Sequence, residues 1–98
     1  SPIALLDLLQ ISELFPEPGY EITLDPAYLP DMKGRSTHWP APDTEKTAHY
    51  RILLKYYQLN LLTTVSSACI MSAAIEETTC KLTRLGEHYR MLVNKKRI

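Results

Sequence analysis

The sequence predicts an all-α fold in which a short N-terminal helix and an extended, proline-rich arm precede one long C-terminal helix. Six of the seven prolines fall between Pro16 and Pro42, which leaves no room there for a regular helix. From residue 43 to residue 93 the chain has no proline, and its only glycine is Gly86. Apolar side chains recur through this second segment at alternating steps of four and three, the period of a coiled coil or bundle. We therefore expect an oligomeric helical bundle.

The first predicted helix covers residues 1–15. Ser1 suits the N-cap position, and Pro2 suits the first helical position, where its missing N–H costs nothing. Phe15 and Pro16 end the helix, because the residue before a proline is pushed out of the α region. The apolar residues of this segment cover more than half of the helix circumference: Ile3, Leu5, Leu6, Leu8, Leu9, Ile11 and Leu14. Such a helix needs another element to cover it.

Residues 5–9 of this helix read Leu-Leu-Asp-Leu-Leu. The stretch resembles the LxxLL pattern by which short helices of transcriptional coregulators dock into apolar grooves, since leucines at i, i+3 and i+4 share one helix face. The resemblance implies a partner-docking helix that uses Leu5, Leu6, Leu8 and Leu9. The alternative is an ordinary packing helix, because leucine-rich pentapeptides arise often by chance.

The arm at 16–42 is expected to be ordered. It carries aromatic and aliphatic side chains that a disordered linker would mostly lack, and residues 20–24 alternate as a strand does. We expect it to lay these side chains, Trp39 among them, across a helical surface together with Leu6 and Leu9. The alternative is a flexible linker, the usual nature of a long loop without secondary structure.

The long helical segment is predicted at 43–94. Asp43 or Thr44 can cap its start, and the basic residues that follow it suit the negative end of the helix dipole. One continuous helix of this length would measure about 75 Å. The alternative is two helices, with a break at the threonines and serines of 63–67, which are poor helix formers. A second break is possible at 77–79 or at Gly86. The whole chain, 1–98, is expected to be one interaction domain of a larger protein.

The apolar stripe of this segment runs from Tyr50 to Leu92 and predicts the interface between helices. Its expected contact residues are Leu54, Tyr57, Leu61, Ala68, Met71, Ile75, Leu82, Leu85 and Tyr89. The predicted function is protein–protein interaction: oligomerisation of a regulatory or scaffolding protein, with a second copy or a helical partner as the ligand. The coregulator-like pattern adds a connection to transcription.

The formal net charge is zero, but the charges are unevenly distributed along the chain. Residues 1–46 hold eight acidic and three basic side chains, and residues 47–98 hold three acidic and eight basic ones. The halves should attract each other, within one chain or between protomers. The basic C-terminal end gives an alternative function, nucleic-acid binding, because phosphates are neutralised by such clusters. The cluster comprises Arg84, Arg90, Lys95, Lys96 and Arg97.

A membrane span is not expected, although residues 56–75 carry no formal charge over twenty positions, about the length that crosses a bilayer. Seven of these residues are polar: Gln58, Asn60, Thr63, Thr64, Ser66, Ser67 and Ser72. This composition is too polar for a typical span. Small residues such as Ala and Ser also permit close helix packing in soluble bundles.

Catalytic and metal chemistry find little support in the sequence. The histidines and cysteines never fall at metal-ligand spacings, and there is no glycine-rich phosphate loop. We therefore expect no cofactor, no metal and no enzyme. The third alternative function is that of a small all-helical enzyme. Such an enzyme would need arginines that face the interior of the bundle. Arg51, Arg84 and Arg90 fall mostly off the apolar stripe.

The two cysteines, Cys69 and Cys80, lie eleven residues apart. On a single helix they would share a face but stand about 16 Å apart along the axis, too far for a disulfide. We expect two buried, reduced thiols, and therefore an intracellular, reducing compartment, nuclear or cytoplasmic.

Overall fold

The computed structural model describes residues 3–96 and shows a mixed α/β fold. Two short helices, α1 (Leu5–Leu9) and α2 (Ile11–Leu14), are followed by strand β1 (Glu21–Thr23) and a 3-10 helix (Pro26–Tyr28). The remaining elements are helix α3 (Thr44–Gln58), strand β2 (Leu62–Thr64), helix α4 (Ile70–Glu76), strand β3 (Thr79–Leu82) and helix α5 (Arg84–Asn94). The N-cap expected at Ser1 with Pro2, and the cation Arg97, lie outside the described residues.

The prediction of an all-α bundle with one long helix over 43–94 is wrong. Helix α3 ends at Gln58, and Asn60 turns the chain with φ 62°. Helix α4 ends at Glu76, where Glu77 adopts the left-handed conformation with φ 59°. Glycine is the usual residue in that conformation, so neither turn carries the usual sequence marker. The apolar stripe is therefore divided among three helices and two strands.

The three strands form one antiparallel sheet in the order β1-β3-β2, with β3 in the centre. Cys80 of β3 lies opposite Ile22 on one side and Thr64 on the other. The threonine-rich stretches that border α4 thus form strands, because β-branched side chains pack well on a pleated surface. Breaking the long helix at 63–67 was the alternative prediction, but residues 62–64 pair with β3 rather than cap a helix.

The uncharged stretch 56–75 is not one helix in the structure. It comprises the end of α3, all of β2 and the first turns of α4. Within residues 3–96, no helix combines the length and the apolar composition that crossing a bilayer requires.

One hydrophobic core joins the N-terminal part of the chain to the helices and the sheet. Phe15 of the α2 C-cap and Tyr56 of α3 are its largest fully buried side chains. The proline-rich arm contributes Leu24 and Leu29, both fully buried, and Trp39 packs against the core while half-buried. The arm is thus part of the folded unit.

Polar contacts hold the arm in place. The Arg35 Nη2 group donates hydrogen bonds to the carbonyl oxygens of Pro26 at 2.8 Å and Pro40 at 2.7 Å. Its guanidinium also lies 5.7 Å from the centre of the Trp39 ring, a favourable cation–π arrangement. Two carbonyls fourteen residues apart are thereby bridged by one side chain, which closes the arm into a loop.

The arm is joined to α3 by a partly exposed ion pair. The Lys46 ammonium lies 2.9 Å from Asp25 Oδ2, and the other carboxylate oxygen accepts the Ala27 N–H at 2.8 Å, which caps the 3-10 helix. The hydrogen bond from Lys46 lowers the pKa of Asp25 below its ordinary value of 3.8.

Helix α1 is tied to α3 by two contacts at one residue. Asp7 Oδ2 lies 2.8 Å from the Lys55 ammonium, and the Asp7 carbonyl accepts a hydrogen bond from the buried Tyr56 hydroxyl. Burial raises the pKa of Tyr56, with the nearby Asp7 carboxylate adding to the shift. The Asp7–Lys55 pair joins the acidic and basic halves of the chain, so part of their attraction is satisfied within one molecule.

Helix α5 packs tightly against the turn between α3 and β2. A Cβ added at Gly86 would lie 2.0 Å from the Leu61 carbonyl oxygen, so only glycine fits there. Thr83 fixes the same junction: its N–H donates to Leu61 O at 2.9 Å and its hydroxyl donates to Asn60 O at 2.6 Å. The Thr83 hydroxyl also accepts the Gly86 N–H at 3.1 Å, which caps α5.

Gly86→Ala should destabilise the fold by about 1–3 kcal/mol, because the new methyl group overpacks against backbone. In an unconstrained helix the same change would stabilise by about 1 kcal/mol, so the sign of the effect tests the close contact. Urea unfolding followed by circular dichroism measures it. His88→Ala, at an exposed position of the same helix, is the control and should change stability by less than about 0.5 kcal/mol. A stabilised Gly86→Ala variant would contradict the packing.

Asp25→Asn should weaken the acid sensitivity of folding. Because the folded-state pKa lies below the unfolded value of 3.8, the charged carboxylate stabilises the fold above that value. This stabilisation disappears as the pH falls through the folded-state pKa. Since the pair is partly exposed, the contribution is less than about 1 kcal/mol. Thermal unfolding at several pH values between 2 and 7 should show a flatter profile for Asp25→Asn. Asp31→Asn, an exposed arm residue, should keep the wild-type profile.

Candidate functional site

An apolar cavity lies between α1, the α3–β2 turn and α5. Its volume is about 220 Å³, and we call it the leucine groove. Its lining residues are Ile3, Leu8, Leu59, Leu61, Leu85 and Tyr89. The Gly86 junction builds this groove, because it brings the α3–β2 turn directly against the first turn of α5.

Two leucines of α1, the helix that contributes Leu8 to the groove, are highly exposed. Leu5 is 57% and Leu6 is 75% exposed, and Leu85 at the groove itself is 44% exposed. Leu5 lies one turn before the groove residue Leu8, so it extends the apolar surface of the groove. Leu6 lies about 160° from Leu8 around the helix axis and projects from another side of α1. Exposed surfaces of this kind, with a polar rim, typically mark protein contacts.

The rim of the groove on α5 is basic. Arg84 precedes Leu85, and His88 precedes Tyr89; both side chains are exposed. Neither one makes a hydrogen bond or ion pair with another side chain or backbone group in the described chain. The adjoining α2 carries the exposed carboxylate of Glu13. The surface therefore carries opposite charges on neighbouring elements.

The structure distributes the predicted interface residues over several surfaces. Leu61, Leu85 and Tyr89 line the leucine groove. Met71 and Ile75 are 42% and 39% exposed and, four residues apart on α4, share one helix face; we call this pair the α4 patch. The other predicted contact residues are Leu54 and Tyr57, which are half-buried on α3, Ala68, which is exposed before α4, and Leu82, which is in the core.

The predicted docking helix is likewise divided. Leu5 and Leu6 are exposed, Leu8 lines the groove and Leu9 is half-buried. Because α1 is a separate five-residue helix, its leucines lie partly against the core and partly in solvent. Ile3 and Leu59 also line the groove and were not among the predicted contact residues. No local pattern marks Leu59, since it contributes through the turn after α3.

The predicted basic cluster is only partly a surface. Arg84, Lys95 and Lys96 are exposed, whereas Arg90 is buried and lies 3.1 Å from Glu87 Oε1. Arg90 falls off the apolar stripe in the sequence, so its burial was not predicted. Lys81 of β3 is a further exposed cation that the predicted cluster did not include.

A second, more polar cavity lies beside Trp39. Its volume is about 410 Å³, and Asp25, His38, Lys46 and Glu77 contribute its charged or titratable side chains. Lys46 and Asp25 are occupied with each other. Within residues 3–96, no group of three histidine, cysteine or acidic side chains is arranged to hold a metal ion. The ion pair between the buried Arg90 and the partly exposed Glu87 lines neither this cavity nor the leucine groove.

The cysteines occupy different elements, so the single-helix arrangement expected for them is wrong. Cys69 is the N-cap residue of α4 and is half-buried, while Cys80 lies fully buried in β3. Both thiols are free. The hydrogen bond with the Ser72 hydroxyl, 3.3 Å away, lowers the pKa of Cys69. Burial raises the pKa of Cys80 to about 12.

Comparison with known proteins finds no matching family model, no similar curated protein and no similar solved structure.

The two thiols should differ sharply in reactivity, because the thiolate is the reactive form. Titration of the folded protein with Ellman's reagent should release one equivalent per chain promptly, from Cys69. The second equivalent should appear only in denaturant. In Cys69→Ser, the folded protein should release almost none. Two equally fast thiols in the folded protein would contradict the burial of Cys80.

Proposed function

We propose that this chain is a self-association domain, in which α1 of a second copy occupies the leucine groove. The observation that carries the proposal is that one chain has both two highly exposed leucines, Leu5 and Leu6, and an apolar groove. A surface that carries both a projection and a matching depression can pair with itself around a two-fold axis. Each copy then gives its leucines and receives those of the other.

The charges favour a second copy as the occupant. The segment that enters the groove belongs to the acidic half of the chain, with the exposed Glu13 following α1. The rim that receives it carries Arg84 and His88, whose side chains form no ion pair or hydrogen bond with the described residues. A two-fold pair places an acidic segment against a basic rim twice, which steers the encounter.

The size of the surface predicts a weak association. Full burial of a leucine side chain contributes about 1.5–3 kcal/mol, and a two-fold pair buries Leu5 and Leu6 of both chains. Association costs at least about 4 kcal/mol in lost translational and rotational freedom. The difference between the free energy of leucine burial and the cost of association is small. It corresponds to a dimer that dissociates on dilution rather than to an obligate dimer.

The cellular setting that fits this proposal is a reducing, intracellular compartment, nuclear or cytoplasmic. Free Cys69 and buried Cys80 are compatible with that setting, since thiols persist where glutathione and thioredoxin keep them reduced. The leucine pattern of α1, which resembles a coregulator docking motif, supports a regulatory or scaffolding function for the protein that contains this domain.

Leu6→Glu should weaken self-association at least tenfold. The side chain is 75% exposed in one chain, so its replacement should leave folding intact while placing a charge in the interface. Sedimentation equilibrium over a wide range of protein concentration gives the dissociation constant, and circular dichroism verifies the fold.

Met71→Glu is the matched control, because Met71 is exposed on the α4 patch and does not line the groove. The dissociation constant of the Met71→Glu dimer should equal that of the wild-type dimer. A wild-type chain that stays monomeric at the highest concentration would overturn the proposal and leave a helical partner as the candidate occupant. Loss of the dimer in Met71→Glu but not in Leu6→Glu would also overturn it and assign association to the α4 patch.

A further inference from the structure

We propose that the exposed edge of α5 is a nucleic-acid-binding surface that neutralises the phosphates of one strand. Arg84 and His88 of α5 and Lys95 of its C-cap are all exposed. At about 100° per residue they fall within about 40° of one another around the helix axis. The row extends about 16 Å along that axis, at about 1.5 Å per residue. We call it the basic edge.

The cations of the basic edge are not satisfied within the protein. Arg84 and Lys95 form no ion pair or side-chain hydrogen bond with any described residue. By contrast, Lys46 and Lys55 each lie within 2.9 Å of an Asp carboxylate. Lys96, which follows Lys95, is also exposed and forms no ion pair with the described residues.

The one acidic residue of α5 does not oppose this charge. Glu87 accepts the Arg90 Nε–H at 3.1 Å through one carboxylate oxygen. Through the other it accepts the Gly19 backbone N–H at 2.9 Å. Its negative charge is thereby held between the buried Arg90 and the loop before β1. The basic edge keeps a positive potential even though the net charge of the chain is zero.

The dimensions of the row suit a nucleic-acid strand. Each strand of B-form DNA carries one phosphate per about 3.4 Å of helix axis, so a row about 16 Å long spans about five phosphates. The side chain between His88 and Lys95 on this edge is Met91, which is 41% exposed and uncharged. Contacts of this type fix a protein on the backbone without reading the base sequence.

An anionic membrane is the less favoured ligand for the same charges. A basic helix that binds a bilayer inserts its apolar face between the lipids. In α5 most of that face is occupied: Gly86 is buried against the Leu61 carbonyl, and Tyr89 and Val93 pack on the core. Leu85 and Met91 remain 44% and 41% exposed, which is less than the continuous apolar face that insertion requires.

The test measures binding of the full chain to a fluorescein-labelled 20-base-pair DNA duplex and to the corresponding single strand, by fluorescence anisotropy at several salt concentrations. The wild-type logarithm of affinity should fall linearly with the logarithm of salt concentration. Each phosphate contact contributes about 0.9 to that slope. In Arg84→Gln/Lys95→Gln the magnitude of this negative slope should therefore become smaller by nearly two. The affinity at low salt should fall about tenfold or more.

Lys33→Gln/Arg51→Gln is the matched control, since it removes the same charge from exposed positions in the arm and on α3. It should retain at least a third of the wild-type affinity. Lys95→Glu alone tests the edge at a residue that does not line the leucine groove, so reduced DNA binding with an unchanged dimer separates this proposal from self-association.

Three outcomes would overturn the proposal. The first is no binding to either nucleic acid at low salt. The second is an equal loss in the two double variants, which would mean unspecific charge attraction. The third is tighter binding to phosphatidylserine-containing vesicles than to DNA, which would assign the edge to lipid headgroups.

Discussion

The close approach of Gly86 to the Leu61 carbonyl determines how α5 packs against the turn between α3 and β2. A side chain at position 86 would collide with backbone, so α5 can lie against the α3–β2 turn only because its third residue has none. Thr83 adds hydrogen bonds to the same turn through its N–H and its hydroxyl. The leucine groove follows from this contact, since residues on each side of it, Leu59 and Leu85, face the same cavity.

The arm shows how a proline-rich segment becomes part of a core with little regular structure. It supplies edge strand β1, which pairs with β3, and the buried side chains of Leu24 and Leu29. Beyond this short ladder and the 3-10 helix, its backbone is held by Arg35, which reaches two carbonyls. A small domain has a high surface-to-volume ratio, and covering the helices with such an arm increases the apolar area it buries. The acidic content of the arm is partly offset by Lys46 at the start of α3.

The sequence predicted the extent of the arm and the strand-like alternation at 20–24, where β1 lies, because proline and period-two patterns act locally. It missed β2, α4 and β3 as separate elements. Asn60 and Glu77 turn the chain through left-handed conformations that glycine would have signalled. In addition, several short elements that each bury a few residues can together reproduce the apolar spacing of four and three residues that is typical of one long helix. For the same reason the predicted stripe mixes groove residues such as Leu61 with the core residue Leu82. The spacing of apolar residues along a chain cannot show which elements fold back on one another.

The attachment of α1 has a consequence for local stability. None of the five residues of α1 is fully buried, and its polar anchoring depends on Asp7, through Lys55 and Tyr56. Elements with few buried contacts open at a lower free energy than the global unfolding of a protein. The segment that carries Leu5 and Leu6 is therefore among the first expected to exchange its amide hydrogens. In the proposed dimer, a copy that requires α1 to be helical would also bear the free energy of ordering it, so the contacts of Asp7 would set part of the binding free energy without touching the partner.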